Sequence, residues 1–232
     1  MKKIGFIGAY DKTDMIINIA KILTVMGKKV IVIDSTVNQK AKYVVPVINP
    51  TLTYITEFEE IDVAVGFKKL DDIKGYLGIS RDEDLEYDIM LIDSDTPERL
   101  EEFDLLQADK NYFITSFDLY SLKKGLEILS RLTKPMNLTK ILYAREILKE
   151  EDDYLNYLSA GYKVNWNEYR IYFPIENGDS LVLSENQRVA KIKFKKLSAQ
   201  YKDSLVFIVQ EIMKDTSEAK IRKAIKNIER GV

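Results

Sequence analysis

The sequence predicts an α/β fold, with a doubly wound, mostly parallel sheet that carries helices on both faces. Short runs of β-branched and apolar residues alternate with segments whose apolar residues recur at helical spacing. The strand-like runs, such as Lys-Val-Ile-Val-Ile at residues 29–33, are apolar almost throughout, which is typical of strands covered on both faces. Right-handed crossovers join such strands into a parallel sheet.

The N-terminal part of the chain supplies the first three elements. Residues 3–7 form a short apolar run and are predicted as a buried strand. Residues 14–26 place apolar residues at helical spacing and end before Gly27, so a helix is predicted there. Residues 29–33 are predicted as the second buried strand, which ends at Asp34. The next apolar runs are predicted as short strands or pieces of a hairpin, at residues 43–47, 52–56 and 61–67.

Helical and strand patterns continue to alternate in the rest of the chain. Residues 70–77 are predicted as a helix, and residues 87–92 as a third core strand that ends at Asp93. Pro97 suits the first turn of the next helix, because proline lacks the N–H that a first turn leaves unpaired. The remaining helices are predicted at residues 97–106, 119–132, 152–160, 187–213 and 217–229. The remaining strands are predicted at residues 111–115, 139–143 and 169–173.

The composition bounds the size of the domain and its chemistry. The 232 residues are 46% hydrophobic and 31% charged, which fits a single domain over residues 1–232 with a C-terminal helical tail over residues 216–232. The chain has no Cys and no His, which excludes thiol nucleophiles, Ser-His-Asp triads and metal sites with Cys or His ligands. Carboxylate, lysine, hydroxyl and backbone amide groups remain, and these suit phosphate and Mg²⁺. A cytoplasmic location is predicted.

The segment between the first strand and the first helix, residues 8–13, is predicted to bind phosphate. Doubly wound sheets bind ligands at the carboxyl ends of their strands, where the start of a helix attracts anions. Lys12 can reach β- and γ-phosphates, and the hydroxyl of Thr13 can bind Mg²⁺. Asp34 and Asp93 end neighbouring strands and can complete a metal and water site. The alternative is a surface lysine at Lys12 and two aspartates that cap loops.

Several segments, in chain order, resemble the ParA/MinD family of deviant Walker A ATPases, whose fold is that of P-loop NTPases. The family's phosphate loop reads Lys-Gly-Gly-x-Gly-Lys-Thr-Thr. The segments that resemble the family are residues 7–14, 28–34 with Gln39, 87–93, 108–110 with 115–122, and Phe173-Pro174 with residues 185–187. The resemblance implies ATP and Mg²⁺ as ligands, with Thr13 and Asp93 at the metal and Asp34 and Asp93 in catalysis. The nucleotide contacts that it implies are Gly8, Ala9, Tyr10, Asp11, Lys12, Thr13 and Pro174.

Five positions depart from the pattern of the family, and one of them, Ala144, replaces the family's asparagine on the strand near adenine. Ile7 stands where the family has its signature lysine, and Ala9 replaces the second glycine of the loop. Thr36 replaces the second aspartate of the segment after the second strand. Asp11 replaces the glycine before the Walker lysine, where the backbone must approach the phosphates closely. A carboxylate ~4 Å from a phosphate charge is repelled by about 1–4 kcal/mol. The sequence therefore predicts a degenerate nucleotide site.

Three functions remain open on these residues. The first, implied by the resemblance, is a positioning or assembly protein that binds ATP weakly, does not hydrolyse it, forms a homodimer and recruits a protein cargo or adaptor. In the family such cargo includes plasmids, chromosomes, the division machinery and pilus or secretion apparatus, and the Tad pilus localisation proteins include members with altered loops. The second is an active ATPase switch that depends on Mg-ATP. The third is a nucleotide-independent scaffold with a tyrosine-rich binding surface.

Two basic segments suggest further partners. Residues 217–230 place apolar side chains on one helical face and basic side chains on the rest, as a helix on an anionic membrane would. This segment resembles the membrane-targeting tail of MinD-type proteins, and the alternative is a helix docked on its own domain or on a partner.

Residues 188–202 carry basic side chains near the helix that lies close to the DNA-binding face of ParA proteins. Nonspecific DNA contact is one hypothesis there and a solvated face the other, so peripheral association with membrane or nucleoid is also predicted.

Overall fold

Eight strands form one sheet in the part of the chain that the computed structural model describes, residues 1–48, 51–144 and 149–231. The strands are β1 (Lys2–Ile7), β2 (Val30–Asp34), β3 (Tyr54–Phe58), β4 (Ile61–Val65), β5 (Ile89–Ser94), β6 (Lys110–Ser116), β7 (Met136–Ala144) and β8 (Val164–Pro174). Their order is β3-β4-β2-β5-β1-β6-β7-β8, and every pair of neighbours is parallel except β3 and β4. The predicted α/β fold with a mostly parallel sheet is confirmed.

Helices cover both faces of this sheet. The helices are α1 (Thr13–Val25), α2 (Ala41–Val44), α3 (Leu70–Tyr76), α4 (Pro97–Glu102), α5 (Leu119–Ser130), α6 (Lys149–Leu158), α7 (Asn177–Val189), α8 (Ala199–Ile212) and α9 (Glu218–Arg230), with a short 3-10 helix at Leu105–Gln107. One hydrophobic core contains α1, α8 and α9, and the other contains α3, α5 and α6. Strand β6 contributes Tyr112 and Ile114 to the first core and Phe113 to the second, because successive side chains of a strand point to opposite faces.

The topology brings the predicted site residues to one edge of the sheet. Strand β1 lies between β5 and β6, and the connection after β1 leads to β2 on one side, whereas the connection after β5 leads to β6 on the other. Such a change of direction leaves a crevice at the carboxyl ends of the strands. Asp34 and Asp93 are directly opposite each other in the pairing of β2 with β5. The loop after β1 therefore lies at the same edge of the sheet as both aspartates.

The segment at residues 43–47 was predicted as a short strand or hairpin piece, and this prediction is wrong. Helix α2 occupies Ala41–Val44, and Tyr43 on it is 78% exposed. Asp34 Oδ2 accepts a hydrogen bond from the N–H of Ala41 at 2.9 Å, so a carboxylate from the end of β2 holds the start of this helix. A short run of Tyr and Val residues does not by itself distinguish a strand from one helical turn.

The long helical pattern at residues 187–213 is divided between two helices. Ala190 adopts a left-handed conformation with φ 49°, which ends α7. Phe194 lies in the connection and is fully buried, so this irregular segment contributes to the core. Helix α8 begins with a separate cap, in which the hydroxyl of Ser198 accepts the N–H of Tyr201 at 3.0 Å. The start of α7 at Asn177 also lies before the predicted boundary.

Helix α9 packs on its own chain, against α1 and α8. Its apolar face, formed by Ile221, Ala224, Ile225 and Ile228, is buried in the core. The docked alternative is therefore confirmed, and the face that would enter a membrane is already occupied. Residue 232, the end of the predicted tail, lies outside the described residues. Among the helices of the described segments, none has the length and hydropathy that crossing a membrane requires.

Candidate functional site

The loop between β1 and α1 depends on glycine at its first position. Gly8 has φ +143°, a backbone conformation that residues with a side chain rarely adopt. Its N–H donates to the carbonyl oxygen of Ser94 on β5 at 3.0 Å. A Cβ atom at Gly8 would lie 2.0 Å from the carbonyl oxygen of Ile114 on β6. The loop therefore leaves the sheet through a gap that admits no side chain.

Lys12 is not a surface lysine, because only 3% of it is exposed. Its Nζ donates to the carbonyl oxygen of Gly8 at 2.8 Å and lies 2.6 Å from Asp93 Oδ1. The contact with Asp93 is an ion pair without good hydrogen-bond alignment, since Oδ1 has no hydrogen-bond partner among the described residues. The lysine that was predicted to bind phosphate is thus neutralised by the aspartate that was predicted to bind Mg²⁺.

Asp93 lies near the end of β5 rather than after it and is buried on all sides. Burial raises the pKa of Asp93 to about 7, Lys12 opposes this rise, and the nearby carboxylate of Asp34 adds to it. The carboxyl group therefore titrates near neutral pH in the folded protein.

Asp93→Asn is expected to change how stability depends on pH. The pKa of Asp93 is higher in the folded protein than the value of 3.8 for a free side chain, so the folded state binds more protons between these values. The contribution of Asp93 to stability is then fully present below about pH 4 and is lost as the pH rises through about 7. The free energy of unfolding of the wild type, relative to Asp93→Asn, should fall by up to about 4 kcal/mol over this interval.

Urea unfolding of both proteins at several pH values between 4 and 8 measures this difference. Asp82→Asn is the control, because Asp82 is exposed and should keep the pH dependence of the wild type. If the free energy of unfolding depends on pH in the same way for the wild type and Asp93→Asn, the expected titration of Asp93 is contradicted.

Asp34 serves the loop that follows β2. Its Oδ1 accepts the N–H and the hydroxyl of Thr36, at 3.1 and 2.6 Å, and its Oδ2 accepts the N–H of Ala41. Asp95 similarly accepts the N–H of Val37 with both carboxylate oxygens, at 3.0 and 3.2 Å. The structure therefore shows the loop-capping arrangement for Asp34, and its catalytic role stays a prediction.

A second lysine, Lys40, binds the carboxylate of Asp11. Lys40 Nζ lies 2.5 Å from Asp11 Oδ2 and 3.0 Å from Asp14 Oδ2. Burial lowers the pKa of Lys40, but the two aspartates outweigh burial and the net shift is upward. Asp14 also accepts the side-chain amide of Gln187 with both oxygens at 2.9 Å. These contacts link the loop and α1 to α2 and α7.

Two cavities that share Tyr10, Asp11 and Lys40 in their walls adjoin the loop. The first, about 490 Å³, extends over residues 8–13 towards Asp93. The second, about 300 Å³, lies beside Pro174, and its aromatic wall continues from the ring of Tyr10, whose centroid is 4.5 Å from that of Tyr143. The structure thus brings all the predicted nucleotide contacts of the loop to the first cavity, and Pro174 to the second.

Charged side chains of both signs line the first cavity. Two lysines and three aspartates line it (Lys12, Lys40, Asp11, Asp93 and Asp95), so its formal balance is one negative charge when all are ionised. Both lysines already lie within ion-pair distance of carboxylates. Within the described ranges, no group of three or more acidic side chains could hold a metal ion. The assignment of Thr13 and Asp93 to Mg²⁺ stays a prediction.

Similarity to known proteins was found only among solved structures. No family model and no curated protein sequence matches the chain. The MinC:MinD cell division complex of Aquifex aeolicus superimposes with a TM-score of 0.59 at 12% identity, covering 94% of this chain and 97% of the other. The chain has the MinD/ParA fold. A putative plasmid partition protein from Borrelia burgdorferi, bound to AMPPNP, gives 0.59 at 14% identity over 93% of this chain and 100% of the other. A McdA–ATP complex from Cyanothece gives 0.56 at 11% identity over 94% and 98%.

Two residues of the candidate site carry no local signal in the sequence. The sequence pattern gives Lys40 and Asp14 no role, although Lys40 lines both cavities and Asp14 lines the second. Gln187 was noticed only as part of a segment that resembles the family, and the structure places its amide on Asp14. No local pattern marks these residues, because they meet only when α2 and α7 fold over the start of α1.

Proposed function

We propose that the protein is a positioning or assembly protein of the MinD/ParA kind, with a degenerate nucleotide site that binds ATP weakly and does not hydrolyse it. The observation that carries this proposal is the neutralisation of the site by the chain's own carboxylates. Lys12 is paired with Asp93, and Lys40 is paired with Asp11 and Asp14. A triphosphate would have to break these pairs before it could use either lysine.

The free energy that a triphosphate would lose on entering the cavity supports weak binding of ATP. Each carboxylate that stays ~4 Å from a phosphate charge repels it by about 1–4 kcal/mol, which corresponds to roughly one to three powers of ten in affinity. Removing Lys12 from Asp93 would also leave a buried carboxylate without its counter-ion. The site therefore favours its own ion pairs over an added anion.

The positioning role is supported by the named neighbours in structure. These are a cell division protein in complex with MinC, a plasmid partition protein and McdA, and two of the three were solved with ATP or AMPPNP. By analogy, this chain recruits a protein cargo or adaptor, and ATP with Mg²⁺ is at most a weak ligand. Since the apolar face of α9 is buried in the core, placement at the nucleoid through nonspecific DNA contact of residues 188–202 is the secondary hypothesis.

The proposed homodimer is supported by apolar side chains around the loop. Val37, Tyr43, Leu119 and Tyr120 are between 64% and 78% exposed, and they follow β2 or β6 at the edge of the sheet that carries the loop. Exposed apolar side chains grouped in this way are typical of interaction surfaces. Ile7 is buried and replaces the lysine that would reach the partner's nucleotide, so the proposed dimer does not depend on ATP hydrolysis.

Titration of labelled ATP with Mg²⁺ against the wild type and Lys12→Ala tests the proposal. We expect a Kd in the millimolar range, or no binding, for both proteins, and the same sedimentation behaviour with and without nucleotide. Lys124→Ala removes an exposed lysine on α5 and is the matched control. Micromolar binding by the wild type that Lys12→Ala abolishes would overturn the proposal and favour the active switch.

A further inference from the structure

The carboxylate of Asp11 occupies the start of α1. Its Oδ1 accepts the N–H of Thr13, the first residue of the helix, at 3.2 Å. Its Oδ2 pairs with the Nζ of Lys40. A backbone N–H at a helix start and a lysine ammonium are the donors that proteins use for phosphate. One side chain thus engages two donors that would otherwise face an anion in the cavity.

We propose that Asp11 is an intramolecular substitute for phosphate, an autoinhibitory contact that keeps the loop closed to anions. This inference rests on the proposed function and gives a structural cause for the weak binding of nucleotide. Asp11 does more than repel phosphate, because it fills the hydrogen-bonding position that phosphate needs. The ligand class that it excludes is a phosphate-bearing anion, such as pyrophosphate or the triphosphate of a nucleotide.

The surrounding contacts keep the two donors in place when Asp11 is removed. Lys40 also binds Asp14, and Asp14 is held by Gln187, so the lysine has a second partner that does not involve the loop. Helix α2, which begins just after Lys40, is held separately by Asp34. The lysine should therefore stay at the cavity in an Asp11 variant.

The Asp11 contact is also weak enough to be replaced. The side chain of Asp11 is 54% exposed, and ion pairs near the surface contribute about 0–1 kcal/mol. Substitution at Asp11 should therefore leave the fold intact, in contrast to substitution at the buried pair of Lys12 and Asp93. An effect on anion binding can then be separated from an effect on stability.

Binding of pyrophosphate and of Mg-ATP to the wild type, Asp11→Asn and Asp11→Gly, measured by calorimetry, tests this inference. Asp11→Gly should bind both at least 10-fold more tightly than the wild type, because the carboxylate no longer repels the anion and no longer occupies the N–H of Thr13 and one of the two carboxylate positions on Lys40. Asp11→Asn should gain less, since its amide oxygen can still accept the N–H of Thr13. Lys40→Ala in the Asp11→Gly protein should abolish the gain, and Asp82→Gly, at an exposed aspartate, is the control without gain.

The outcomes separate this inference from the proposed function. If Asp11→Gly and Asp11→Asn keep the circular dichroism and unfolding free energy of the wild type but bind pyrophosphate no better, the inference is overturned, even when the wild type binds ATP weakly. If the wild type binds Mg-ATP in the micromolar range and Asp11→Gly binds it more tightly still, the proposed function fails and the autoinhibitory contact stands.

Discussion

Gly8→Ala is expected to lower the free energy of unfolding by about 3 kcal/mol or more, because two separate penalties act at this position. The backbone φ of +143° is strained for alanine. The added Cβ would also lie 2.0 Å from the carbonyl oxygen of Ile114, and neither this backbone atom nor the sheet that holds it can move cheaply. The loop would have to leave its path, and the contact of Lys12 with the carbonyl oxygen of Gly8 would change with it.

Chemical denaturation of Gly8→Ala and the wild type measures this effect. Gly178→Ala is the matched control, because Gly178 lies in α7 and a Cβ there would contact nothing within 4 Å. This control should be neutral or stabilising by about 0.5–1 kcal/mol, since alanine favours helix over glycine. If Gly8→Ala unfolds at the same denaturant concentration as the wild type, the tight passage of the loop between β5 and β6 is not a constraint.

Asp152→Asn is expected to destabilise the protein by about 3 kcal/mol, through a cluster distant from the loop. Asp152 and Lys140 are both buried, and Lys140 Nζ lies 2.7 Å from Asp152 Oδ1. The other oxygen of Asp152 accepts a hydrogen bond from Arg170 at 2.7 Å. The neutral amide would leave the ammonium of Lys140 buried without a counter-ion, and α6 would lose its ionic link to β7 and β8.

Thermal and urea unfolding of Asp152→Asn should be compared with Glu218→Gln, which removes one carboxylate from the exposed pairs of Arg222. The exposed substitution should cost less than about 1 kcal/mol, because water replaces the lost partner. The double variant Lys140→Met with Asp152→Leu removes both buried charges and should recover much of the lost stability. A cost for Asp152→Asn no greater than that of Glu218→Gln would show that the buried pair does not require its carboxylate.

Each strand that builds the sheet could be predicted from the sequence as an element, although β8 begins at Val164, five residues before its predicted start. Strands β1 and β2 are short, apolar and bounded by polar or glycine residues, so their local pattern is unambiguous. The failures occur where the pattern is short or where a helix ends without glycine or proline. Residues 43 and 44 belong to α2, whose first turn is held by Asp34, and α7 ends at Val189, before a left-handed Ala190 and a connection that buries Phe194.

The candidate site was predicted as a set of positions but not as a set of contacts. The carboxyl ends of neighbouring parallel strands meet at one edge, so the proximity of Asp34, Asp93 and the loop followed from the order of elements. The pairing of Lys12 with Asp93 could not be predicted, because a lysine in this loop can also extend into the cavity. The departure at Asp11 was recognised as a negative charge, whereas its bonds to Thr13 and Lys40 were not.

The sequence by itself determined the class of fold, the place of the site and the chemical groups available to it. The spacing of apolar residues along the chain is a local property. It can be recognised in the sequence because each strand and each helix must bury one apolar face. Only the tertiary structure decided what the charged groups do. Asp93, Lys40 and Gln187 come from different elements, and whether a lysine meets a carboxylate or stays free for a ligand depends on distances that folding sets between segments far apart in the chain.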